Sequence, residues 1–342
     1  MVERRVRRHS VLVVIFLGLS ATLARAVPDP PLVADPAYAQ AQQLVEVEPH
    51  RRLNLYCIGT GAPTVILDSG LTDDIPVWGR VQPDIAKQTR ACTYDRAGVG
   101  FSDPARRAGT SANIVDDLHR LLHRAPIKPP YILVGHSYGG MNVVLYADRY
   151  PNEVVAMVLV DPALEGQVRH IRRNFPSYDK SFVQPTLQDQ RNCVIAATAG
   201  FVLGTKPYDD CLPKPDPTFS EAISADRFVQ AQSPANQQAT LSEDESIKTG
   251  RSGEQLRAAR RSFGNMPLII LAIPLGPQPL VPGETQAMQD AIHAARGREL
   301  EALAHRSSKG VVRFVPNSGH YIQSDQPSLV VESILEILEQ VR

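Results

Sequence analysis

The sequence has no excess of either charge: Lys and Arg together number 36, Asp and Glu 36, and the formal net charge is zero. That balance excludes the basic surface that recruits nucleic acid and leaves no acidic tail. Cysteine is scarce. The four present, Cys57, Cys92, Cys193 and Cys211, form no C-x-x-C pair, so the spacing fits no zinc-binding pattern. The N-terminal apolar run, Val11 to Leu19, falls short of the roughly 20 residues needed to span a bilayer. No internal repeat is evident. Hydrophobic residues make up 43% and charged residues 21%, which excludes disorder along the whole chain and allows a substantial core.

What is present begins with an address. Arg4, Arg5, Arg7 and Arg8 precede the short apolar run, and Ala24-Arg25-Ala26 supplies an A-x-A cleavage site. Residues 1–26 are therefore expected to be a signal peptide cleaved near Ala26, giving an exported (periplasmic or secreted) protein with no stable membrane span. An uncleaved N-terminal anchor is the alternative. In an oxidising compartment an even number of cysteines suggests disulfides, although four cysteines permit three connectivities.

Residues 27–43, with their prolines and alanines, read as a flexible lead-in. Strand-like runs follow at 44–47, 53–58, 64–67, 91–94, 131–134 and 154–160, with helical spacing at 78–88, 111–124 and 139–150. Alternating strands and helices imply a mostly parallel sheet covered on both faces. The alternation stops at Pro162 and resumes at Pro267 with a strand at 267–273, a helix at 283–306, a strand at 311–315 and a helix at 326–341. The expected organisation is a core of 44–161 and 265–342, interrupted by an inserted cap, 162–264, too long for an ordinary loop.

Gly135-His136-Ser137-Tyr138-Gly139 is a G-x-S-x-G motif between the strand 131–134 and the helix 139–150, the setting of a nucleophile elbow. Only small residues fit two positions either side of the serine, because the turn presses them against the adjoining strand and helix. The serine oxygen then stands at a helix N-terminus, where the dipole favours developing negative charge. A serine nucleophile needs a base, and His320, in Asn317-Ser318-Gly319-His320, follows the last strand in the required chain order. The other histidines have weaker claims: His136 is expected to point away from the elbow tip, and His119 and His123 to lie on a surface helix.

These motifs, with Leu67-Asp68-Ser69-Gly70-Leu71 and Tyr94-Asp95-Arg96-Ala97-Gly98-Val99-Gly100-Phe101-Ser102, resemble the α/β-hydrolase superfamily over about 44–161 and 265–340, in its capped esterase and peptidase-like branch. The resemblance implies an eight-stranded α/β-hydrolase sheet and oxyanion-hole amides at Leu71 and Tyr138. Ser69 stands where the family commonly has histidine. The family's usual acid position, a loop just after the strand 267–273, holds no carboxylate here. Asp161, at the end of the strand after the elbow helix, is the favoured triad acid, as in haloalkane dehalogenases, with Glu284 the alternative. In this fold the second hairpin strand neighbours the strand at 91, which implies a Cys57–Cys92 pair and leaves Cys193 with Cys211.

The implied chemistry is hydrolysis of a small ester-like substrate through an acyl-enzyme, without metal or organic cofactor. Serine at the elbow argues against dehalogenase or epoxide-hydrolase chemistry, which place an aspartate there. Acyltransferase, haloperoxidase-like and proline-iminopeptidase-like activities on the same triad remain alternatives, as does a non-catalytic binding protein of this fold.

Overall fold

The computed structural model describes residues 32–276, 280 and 284–342. The expected signal peptide and Pro277–Pro279 lie outside them. Eight strands form one sheet in the order β1-β2-β4-β3-β5-β6-β7-β8. β1 (Gln43–Glu48) and β2 (Arg51–Ile58) make an antiparallel hairpin, and β2 pairs antiparallel with β4 (Ala91–Tyr94). β3 (Thr64–Asp68), β5 (Tyr131–His136), β6 (Val154–Val160), β7 (Leu268–Ala272) and β8 (Gly310–Phe314) continue the sheet in parallel, and β3 also pairs in parallel with β4. This is the mostly parallel sheet that the alternation implies, with the eight strands that the resemblance implies.

The strand period of two divides the core into two layers. Tyr131 and Leu133 of β5, with Met157 and Leu159 of β6, belong to one layer together with Leu118 of α2 (Ser111–Arg124) and Val143 of α3 (Tyr138–Arg149). Ile132 and Val134, with Ala156, Val158 and Val160, belong to the other with Ile85 of α1 (Gln82–Ala86) and Ile334 of α12 (Pro327–Val341). Each fully buried aliphatic side chain contributes roughly 1.5–3 kcal/mol. All six residues of β5 are buried, so the strand that leads into the elbow is among the most firmly held.

Between β6 and β7 stand six helices: α4 (Gln167–Asn174), α5 (Gln184–Ala199), α6 (Lys206–Cys211), α7 (Glu221–Ala231), α8 (Pro234–Lys248) and α9 (Arg251–Ala259). Apolar periodicity revealed few of them, because α4 buries no residue and α5 only Leu187, Cys193 and Ala197. Their ends carry the signal instead. Ser220 and Ser233 accept hydrogen bonds from the amides of Ile223 and Asn236, and proline occupies the first turn of α5, α6 and α8. A proline there costs no hydrogen bond, so these prolines open helices rather than break them.

The insertion is tied to the core. Ser252 and Gln255 of α9 accept from the amides of Ser111 and Ala112, 3.0 and 2.9 Å away, satisfying donors that the start of α2 leaves open. After β7 come α10 (Gln286–Ala304), β8, α11 (Ile322–Asp325) and α12.

The lead-in is structured from Val33 onward, a difference from the expected flexible segment. Val33 donates to and accepts from the insertion, at Thr218 O (2.8 Å) and Ser220 N (2.9 Å), and the buried Tyr38 donates to Gln82 Oε1 at 3.0 Å. Its apolar side chains fill a small cluster with Phe219 and Ile223. Two disulfides form, Cys57–Cys92 across the β2/β4 register and Cys193–Cys211 between α5 and α6.

Candidate active site

The tips of β5, β6 and β7 converge. Ser137 follows β5 with φ 51° and ψ −115°, a strained conformation for a residue with a side chain. Its amide donates to Val160 O at 3.1 Å, and its carbonyl accepts from Ala163 N at 2.9 Å, so both sides of the elbow are pinned to the end of β6. A Cβ at Gly135 would stand 2.5 Å from Gly139 O, and one at Gly139 would strike the carbonyl of Asp68, which accounts for glycine at both positions.

Asp161 lies one residue past β6, with φ 41° and its amide donating to Leu271 O at 2.7 Å. Its Oδ2 lies 2.6 Å from His320 Nδ1. Its Oδ1 accepts from Ile273 N at 3.1 Å and from the Arg296 guanidinium of α10. Burial acts to raise the pKa of this carboxyl, but the His320 hydrogen bond, the Arg296 charge and the Ile273 amide outweigh it and hold Asp161 below the usual carboxylate range. Glu284 stands just ahead of α10, and the carboxylate on His320 Nδ1 is that of Asp161.

His320 occupies the turn between β8 and α11. Asp325 Oδ2 accepts from Gly319 N at 2.7 Å, bracing this turn rather than the imidazole. The buried His136 was expected to face away from the elbow tip. Instead its ring lies 4.7 Å from that of His320, and its Nε2 donates to the His320 carbonyl at 3.0 Å. Ser137 Oγ and the His320 ring are not hydrogen-bonded to each other among the described residues. Such contacts commonly tighten only when substrate binds.

The Tyr138 amide is at the first position of α3, one of the donors a helix leaves without an internal partner. Leu71 follows β3 in the neighbouring loop, and its amide has no partner among the described residues. Among the described residues, six non-glycine residues have positive φ, and four lie in these loops: Thr72, Ser137, Asp161 and Asn317. Strain concentrated in this way is a feature of functional sites.

The loop after β3 is held from two sides. Arg96, buried beyond β4, donates to Asp68 Oδ1 (2.9 Å), to Ser69 O (2.8 Å) and to the Gly70 carbonyl. Glu243 of α8 accepts from Arg96 Nε at 2.7 Å and from the Thr72 amide at 2.9 Å. Arg227 of α7 pairs with Asp74 at 2.9 Å. Burial works against the Arg96 charge, but Glu243 and Asp68 overcome it. Burial likewise raises Asp68, to about 6. Asp95 accepts from Asn54, Ile75 and Phe101, so the Tyr94–Ser102 segment braces the site.

Sequence reasoning missed Arg296, Glu243 and Arg227. Each reaches its partner across more than a hundred residues of chain, where no local pattern operates.

Residues 63–327 match the family described as alpha/beta hydrolase fold, and the chain belongs to that family. It is 37% identical to the uncharacterized protein YqjL of Bacillus subtilis over 106 residues, 31% of this chain and 42% of YqjL. The match thus spans less than half the length of that relative. An AB hydrolase superfamily protein of Gibberella zeae is 23% identical over 299 residues, covering 82% of this chain and 87% of the relative. Among solved structures, epoxide hydrolase CorEH superposes with a TM-score of 0.58 at 16% identity, over 88% of this chain and 98% of that one, a likeness of fold alone. The protein is thus an α/β hydrolase, a class whose fold suggests a small-molecule substrate. No helix among the described residues is long and apolar enough to cross a membrane.

Proposed function

We propose that this α/β hydrolase is an exported serine esterase that cleaves a carboxylic-ester-like bond with Ser137, His320 and Asp161. The observation that carries the reading is the 2.6 Å pairing of His320 Nδ1 with Asp161 at the rim where Ser137 stands on its strained turn. In this mechanism His320 Nε2 takes the Ser137 proton as the oxygen attacks the ester carbonyl. The amides of Leu71 and Tyr138 receive the negative charge on the carbonyl oxygen, a contribution of several kcal/mol to barrier lowering. His320 then protonates the departing alcohol. Water, deprotonated by the same nitrogen, attacks the acyl-enzyme and frees the acid. Asp161 keeps the Nδ1 proton in place and stabilises the imidazolium.

A serine in place of an elbow aspartate favours acyl transfer over opening of an epoxide. Both disulfides fit an oxidising destination, in keeping with the N-terminal signal pattern. The helical insertion would shape the acyl and alcohol pockets.

The test is fluorophosphonate labelling, followed by turnover of a series of p-nitrophenyl esters of increasing acyl length. Covalent modification is expected at Ser137, and a folded Ser137→Ala protein should lose both labelling and turnover. Retention of most esterase activity in that variant would end the proposal.

A further inference from the structure

Far from the elbow, His119, His123 and Glu153 form a group whose ligand atoms all lie within 4.8 Å of one another. His119 and His123 are four residues apart on α2, a spacing that puts both imidazoles on one face. Glu153 comes from the turn after α3. Its Oε1 lies 3.3 Å from His119 Nε2 and 3.0 Å from His123 Nε2. Ligands held at 2.0–2.1 Å around a tetrahedral ion are separated by about 3.3 Å, close to the two His–Glu distances.

The donors are also oriented from behind. Tyr146 Oη donates to Glu153 Oε2 at 2.6 Å, which leaves Oε1 to face the imidazoles. The His119 ring stacks on Tyr150, with centroids 3.9 Å apart and planes 12° from parallel. The hydrogen bond from Tyr146 behind the Glu153 carboxylate is of the kind that orients a metal ligand.

We propose that His119, His123 and Glu153 bind one divalent transition-metal cation of the zinc, nickel or copper(II) class. Two imidazoles and a carboxylate suit these ions better than magnesium or calcium, which prefer oxygen ligands alone. Water completes the coordination. Tyr146 lies eight residues beyond the start of α3, about 12 Å along the helix from the elbow, so the ion would fasten α2 to the turn feeding β6 without entering the chemistry.

The test is calorimetric titration of the full, untagged chain with Zn²⁺ at neutral pH, together with the absorption spectrum of the Co²⁺ form. One equivalent is expected to bind and to raise the melting temperature, with ester turnover unchanged. His123 is half-exposed, so His123→Gln should fold. It should weaken binding at least about tenfold and abolish the thermal shift. Tyr146→Phe, which leaves all three ligands in place, should weaken binding by about tenfold or more. His305→Gln, a change just past the end of α10, should leave it intact. Zn²⁺ binding of equal strength in wild type and His123→Gln, or no binding to the wild type, would overturn the proposal.

Discussion

Every residue of β3, β4, β5 and β7 is buried, whereas α4 of the insertion buries none. Large apolar side chains also remain on the insertion's surface, with Leu203 78% and Ile195 65% exposed. The sheet is held by apolar burial. The insertion buries fewer apolar side chains, among them Leu164 and Leu256 in the main core and Phe219 and Ile223 against the lead-in. A disulfide closes it internally, and polar ties run from it to the loop carrying Leu71 and to the start of α2. The difference teaches that the deeply buried region positions Ser137, Asp161 and the turn of His320. The less buried region completes the support of the loop that carries Leu71, through Glu243 and Arg227.

The largest effect should come from damage within the deeply buried region. Asp161→Asn would leave the strand tips in place but present an amide to His320 Nδ1, favouring the wrong tautomer. A loss in kcat of up to about 10⁴ is expected, with little change in KM. Steady-state kinetics on the ester series checks this, and Glu284→Gln should leave kcat close to wild type. Equal losses in both variants would sink the assignment of the acid.

Next is the contact between the two regions. Glu243→Ala removes a buried partner of Arg96 and the acceptor of the Thr72 amide. It should cost about 3 kcal/mol of stability. It should also cost roughly a hundredfold in kcat, the scale of a small misplacement of a catalytic group. Urea denaturation and kinetics measured together would show it. Loss of stability with unchanged kcat would mean that the insertion supports the fold but not the oxyanion loop.

Removing the Cys193–Cys211 bridge by a double serine substitution should cost about 3 kcal/mol in the chain-entropy model. Limited proteolysis should then cut first within 162–264, with the sheet cut later. Early cleavage in the sheet would break the contrast between the regions.

The smallest effect concerns acid pH. The folded-state pKa of Asp161 is lowered, so its stabilising contribution is complete above the unfolded value of about 3.9 and is lost as pH falls through the lower folded value. Asp161→Asn should therefore make the stability profile shallower below about pH 4. An unchanged acid slope would show that the Asp161 carboxylate is not held as described.

The strands were legible because burial on both faces demands short, continuous apolar runs. Tyr131–Val134 and Val154–Val160 can hardly be anything else between turn-forming neighbours. Ser137 was legible because its turn tolerates only glycine at 135 and 139. The insertion's helices were less so: half-exposed helices need no apolar stripe, and their proline-bearing first turns resemble breaks. The role of residues 33–42 was hidden for a related reason, since Val33 and Tyr38 are buried only against residues distant in sequence.

By itself the sequence determined the sheet, the elbow, the histidine turn and the interruption between β6 and β7, because each follows from local periodicity or from a motif with its own steric logic. The tertiary structure alone decided that Arg296 sits on the Asp161 carboxylate, that Glu243 reaches from α8 to the loop after β3, and that His136 touches the His320 backbone. It alone brought Glu153 to the two histidines of α2. These are contacts between side chains distant along the chain, and only the packing of helices on a finished sheet brings such groups within hydrogen-bond reach.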